Sequence, residues 1–198
     1  VLSQVLPVVF ERNGFEKIYS DAWWYKLKAG TAVYGIFWNP LKNNGLGDIE
    51  IKQIDVLNLF WEPGIKDIQK SKNVFHVELM DNEALLALYP QLSGKLGASS
   101  VEIAHYVFDD SVDTSEKSAV IDRYYKVIKN GVEVVHYCKI CNNELLYASE
   151  NDPEYMERGF YDHGRYPFVF DALFVEEGTP CGFGYIDIMK DAQKQIDL

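Results

Sequence analysis

Two apolar-rich runs, Ser118 to Ile128 and Val132 to Ile140, meet at Asn130-Gly131, and this dipeptide constrains the fold more than any other feature of the chain. Asn and Gly tolerate the positive φ angles of a two-residue hairpin turn, so the flanking runs must pair antiparallel. Asn142-Asn143 turns the chain again into Glu144 to Ala148, which predicts a three-stranded meander.

The segments before it carry similar signals. Leu2 to Phe10 reads as the tail of an apolar helix. Interrupted by Pro7, it is too short for a membrane span, and it lacks the basic start of a signal peptide. Asn13 and Glu16 form a candidate capping pair, Phe15, Ile18, Tyr19, Ala22 and Trp23 recur at helical spacing, and Gly30 suits the helix end. Trp23, Trp24 and Tyr25 are expected in or near the core. Val33 to Trp38 reads as a strand turned by Asn43-Asn44-Gly45 into Asp48 to Ile54, where Ile49 and Ile51 alternate with Glu50 and Lys52 in a half-exposed hairpin. Val56 to Phe60 continues apolar until Pro63-Gly64.

Asn73 to Leu79 is a strand with Phe75, Val77 and Leu79 on one face and His76 and Glu78 on the other. Asp81 then caps a short helix, Glu83 to Tyr89, stopped by Pro90. Gln91 to Ser100 is loop, Val101 to Phe108 fits helix or strand, Asp109 to Lys117 is polar, and Asn151 to Gly159 is loop.

The C-terminal stretch pairs a strand-length run, Phe168 to Phe174, with a glycine-rich turn at Gly178 to Gly184 and a helical pattern from Tyr185 to Leu198. Ile188, Ala192, Gln195 and Ile196 lie near one face of that helix. With no stop signal after it and Val at residue 1, the chain is expected to be an excised piece of a longer protein. The pattern is mixed, with antiparallel strands, a few helices and no βαβ rhythm. The expected class is α+β, mainly antiparallel strands and hairpins with a few flanking helices.

With 198 residues, 47% of them hydrophobic, the chain can bury a real core and is expected to be one domain. A net charge of −11 argues against gripping nucleic acid or anionic membrane electrostatically. Three cysteines form no disulfide framework, which makes an intracellular origin the default.

Each candidate for chemistry has a plainer reading. Cys138 and Cys141 make a Cys-x-x-Cys near His136, but on a strand they point to opposite faces, and buried strand cysteines are favoured over metal or redox chemistry. The acidic run Asp109 to Glu116 lacks the glycine and the final glutamate of a calcium loop. Asp162 and His163 sit side by side without a nucleophile elbow, and nothing in the sequence joins Cys181 to His163 as nucleophile and base. Gly178 to Gly184 precedes a helix as phosphate cradles do, yet Pro180 removes one donor and the required spacing is missing, so a strand-to-helix hinge is expected. No catalytic, cofactor-binding or metal-binding residue is assigned, and no enzymatic activity is expected.

Several ordered segments carry a family likeness: Asp21-Ala22-Trp23-Trp24-Tyr25, Gly45-Leu46-Gly47-Asp48-Ile49, Ile54 to Gly64, Asp67 to His76, and His163 to Phe170 before Gly182-Phe183-Gly184. In order and spacing they resemble the portal proteins of tailed bacteriophages, across most of the chain. The resemblance implies one wing-like domain over residues 1–198 of a larger protein, with truncated helices at 1–10 and 185–198. It implies a structural subunit of a ring, usually of twelve, at the capsid portal vertex of the virion, assembled in the host cytoplasm. Double-stranded DNA would pass through the ring without sequence-specific binding. The partners implied are other copies of the subunit, the terminase large subunit, capsid or scaffold protein, and head-tail adaptors. No membrane and no cofactor is implied, and the isolated piece is expected to be monomeric or weakly associated. Two other readings stand beside it. One is a carbohydrate- or protein-binding module, favoured if Trp38 or Trp61 is exposed. The other is a hydrolase using Cys181 and His163.

Overall fold

A computed structural model describes residues 2–96 and 116–197. The fold is α+β: among the described residues, four helices accompany ten strands, and every strand pairing is antiparallel. The chain divides into two compact units. The first comprises Val1–Val56, Pro63–Lys70 and Pro167–Leu198, and the second Leu57–Glu62 and Ser71–Tyr166. Val101 to Phe108 and the acidic run from Asp109, apart from Glu116, lie outside the described residues.

In the first unit, α1 (Leu2–Asn13) and α2 (Phe15–Ala29) meet at Gly14, whose φ of 59° is left-handed. Asn13 and Glu16 do not form the expected capping pair. Gly14 stands at the N-cap, and Asn13 ends α1 with its side chain committed to a strand. Gly30 closes α2 as expected, with φ 84° and its N–H donated to the Lys26 carbonyl. Trp24 departs from the core expectation. It is 64% exposed on the outward face of α2, with the Lys28 ammonium 5.4 Å from its ring, while Trp23 is half-buried.

Strands β1 (Thr31–Asn39), β2 (Asp48–Ile54) and β8 (Phe168–Ala172) form a sheet in the order β2-β1-β8. Its core side chains include Val33, Ile54 and Phe168. The tight pair β9 (Phe174–Val175) and β10 (Gly182–Phe183) then leads into α4 (Tyr185–Ile196). A Cβ at Gly182 would lie 2.2 Å from the Phe174 carbonyl oxygen, and one at Gly184 would lie 2.5 Å from the Lys28 carbonyl oxygen. Only glycine lets these backbones approach so closely. This matches the expected strand-to-helix hinge. Ile186, Ile188, Met189 and Ile196 on α4 are all exposed.

The second unit is a five-stranded sheet in the order β3-β4-β5-β6-β7, with β3 (Leu59–Trp61), β4 (Asn73–Asp81), β5 (Lys117–Lys129), β6 (Val132–Cys141) and β7 (Glu144–Ala148). Lys129 pairs with Val132 across Asn130 and Gly131, at φ 51° and 78°, giving the expected two-residue hairpin. Helix α3 (Asn82–Leu88) begins after Asp81 as expected, but the Asp81 side chain makes no capping hydrogen bond. It lies instead 3.7 Å from the Lys117 ammonium. Leu85 and Leu92 pack with Val120 and Cys141 as the apolar core at one end of the sheet. Among the described residues no helix is long and apolar enough to cross a membrane.

Candidate functional site

Among the described residues, a cluster of titratable side chains arises from strand register. His76 on β4 pairs with Asp122 on β5, and Asp122 pairs with Lys139 on β6, so three ionisable groups stand in a row across one face of the sheet. Tyr137 lies on that same face, two residues from Lys139. The Lys139 ammonium and the Tyr137 hydroxyl both donate to Asp122 Oδ1 at 2.7 Å, and His76 Nδ1 lies 3.8 Å from Oδ2.

An aromatic wall closes over the row. The Tyr137 ring centre is 4.9 Å from that of Phe160, 5.0 Å from Tyr124 and 5.9 Å from Tyr147. Tyr161 stacks on Tyr124, and His163 stacks on Tyr161. Phe160 reaches this position because its N–H donates to the Val135 carbonyl.

Electrostatics decides what the cluster does. Burial opposes ionisation of Asp122, yet hydrogen bonding from His76, the Lys139 charge and the Tyr137 hydroxyl together hold its carboxyl below the usual range. Burial, reinforced by the Asp122 charge, drives the Tyr137 phenol far up, and burial pushes Tyr161 to about 12. Near neutral pH the row is therefore one carboxylate held by a lysine and a tyrosine donor, beside neutral phenols. A carboxylate so held is a poor base and the phenols are poor acids, so the arrangement clamps β4, β5 and β6. The sequence carried one signal of it: a lone Asp in the apolar run Ser118 to Ile128.

The opposite face holds a second polar group. The Ser149 hydroxyl accepts the Tyr137 N–H at 2.9 Å and shares a second hydrogen bond with His136 Nδ1, also at 2.9 Å, whose direction follows the His136 tautomer. The other ring nitrogen, His136 Nε2, is buried with no hydrogen-bond partner among the described residues. Burial lowers the His136 pKa, and the Lys129 charge adds to this against the opposing Glu150 carboxylate. Cys138 shares this face, while Cys141 points into the apolar core on the other. Both thiols are free and buried, and burial pushes both pKa values up.

The remaining sequence candidates have their own local partners. Cys181 belongs to the first unit, hydrogen-bonded near Thr179 and Thr31, with burial pushing its thiol up. His163 belongs to the second, and its Nδ1 accepts the Arg165 N–H. In the glycine-rich turn the amides are already occupied: Cys181 donates to Thr179 Oγ1, Gly182 to Thr31 Oγ1 and Gly184 to the Asp187 carboxylate. Trp38 is 59% exposed and lies against Gly47, where a Cβ would fall 2.3 Å from the indole. Trp61 is half-buried. No family model matches the chain, and no curated protein sequence matches it.

Proposed function

We infer that this chain is the wing region of a tailed-bacteriophage portal subunit, a structural element of the ring through which double-stranded DNA enters and leaves the head. The observation that carries the reading is the ordered likeness of segments spread from Asp21 to Gly184. The geometry is compatible with it. The best-built polar cluster is a clamp rather than an acid–base pair, and α1 and α4 leave apolar side chains such as Phe10, Ile188 and Met189 exposed, as a subunit of a larger assembly would. A net charge of −11 suits a conduit that must let DNA slide without retention. In this reading the ring partners, the terminase, the capsid or scaffold protein and the head-tail adaptors meet the full-length protein, at the portal vertex of the virion.

A carbohydrate- or protein-binding module is the second reading, and exposed Trp38 on its Gly47 bed favours it. Two titrations of the purified chain separate them. The portal reading expects no retention of duplex DNA at physiological salt and no glycan or peptide capture that depends on Trp38. Submicromolar duplex affinity contradicts the conduit reading. Ligand capture abolished by Trp38→Ala transfers the assignment to the binding module.

A further inference from the structure

Strand β2 is an edge of its sheet, so the backbone groups of Ile49 and Ile51 point away from β1 and need a partner. Asn13 supplies it. Its Nδ2 donates to the Ile49 carbonyl at 3.0 Å and its Oδ1 accepts the Ile51 N–H at 3.1 Å. One side-chain amide thus takes the two positions that a neighbouring strand would occupy. The same Oδ1 also accepts from the Lys42 ammonium at 3.2 Å, and Nδ2 also donates to the Val9 carbonyl at 2.8 Å.

The helix that carries this plug is lightly held. Val5, Leu6, Val8 and Phe10 are all exposed, and α1 joins α2 through left-handed Gly14, where a Cβ would meet nothing within 4 Å. A groove of about 660 Å³ runs along that joint beside Pro7, Phe10 and Phe15. Besides the Asn13 contacts, Arg12 pairs with Asp48 at 3.2 Å and Phe10 stacks on Phe15 at 4.5 Å. A segment with so little buried apolar surface opens at low cost.

What lies beneath is self-complementary. The strand reads Asp48-Ile49-Glu50-Ile51-Lys52-Gln53-Ile54, without a bulge and in unbroken register with β1. Two copies run antiparallel about Ile51 would set Glu50 opposite the other copy's Lys52, twice, and Ile51 opposite itself. The outward-pointing residues 49, 51 and 53 are the set such a pairing uses, and opposite charges directly across a strand pair stabilise it.

We propose that β2 is a gated self-pairing edge: Asn13 at the end of α1 plugs it, and displacement of α1 lets two copies of this chain join β2 to β2 about Ile51. The gate is a property of the first unit and does not depend on the portal reading.

Sedimentation equilibrium of the full chain tests it. Wild type is expected to stay monomeric at micromolar concentration. Asn13→Ala is expected to dimerise with an apparent Kd lower by about tenfold or more, because the pairing-competent fraction rises. Glu50→Lys in the Asn13→Ala background sets Lys against Lys and should abolish the dimer, and adding Lys52→Glu should restore it. A folded Asn13→Ala chain that remains monomeric overturns the proposal, as does a dimer indifferent to Glu50→Lys. If Asn13→Ala does not fold, Asn13→Asp keeps the acceptor for Ile51 and removes the donor to Ile49. It must still associate more strongly than wild type, and no increase overturns the gate.

Discussion

Asp122 is the residue on which the second unit's electrostatics turns. Replacing it with Asn leaves the Lys139 ammonium, itself largely buried, without its anion. Loss of one partner from such a pair is expected to cost about 3 kcal/mol, read by urea denaturation. The pH dependence follows from the directions of two shifts. The Asp122 pKa is depressed on folding, so its contribution is full above the unfolded value of about 4 and is lost as pH falls through the lower folded value. His136 is likewise depressed, so acid protonates the unfolded chain first and stability begins to fall below about pH 6.5. Thermal melts from neutral to acid pH should show both steps, and Asp122→Asn should flatten only the lower one. A melting temperature independent of pH over that range contradicts this account.

At the scale of elements, the hairpin and the hinge rest on glycine. Gly131→Ala forces a side chain into φ 78° at the β5–β6 turn and should cost about 1 kcal/mol, measured by chemical denaturation. Gly182→Ala is a harsher change, because its Cβ would meet the Phe174 carbonyl rather than a movable side chain. It should cost several times as much and loosen the β9–β10 pair, seen as faster amide exchange at Phe183. These elements were legible in the sequence because their signals are local. Asn130-Gly131, Gly30 and the glycine run before Tyr185 each require a particular backbone, wherever the rest of the chain goes. The Asp122 row was not legible, since His76, Asp122 and Lys139 meet only through the register of three strands. Asn13 misled for the same reason. Its sequence context offers a helix cap, but a sheet edge far along the chain competes for its amide and wins two backbone hydrogen bonds.

At the scale of the whole molecule, net charge and exposed apolar helices pull in different directions. A charge of −11 keeps separate copies apart, while the open faces of α1 and α4 favour burial in an assembly. The isolated chain is therefore expected to be monomeric or weakly associated in sedimentation at low salt, with association strengthening as salt screens the charge. A stable ring formed by this chain alone contradicts that balance. On the portal reading, in which these residues belong to a longer subunit, the assignment is tested most directly by negative-stain imaging of that purified subunit. Closed rings with a central channel wide enough for duplex DNA are the expected result. Monodisperse particles without rings would contradict it.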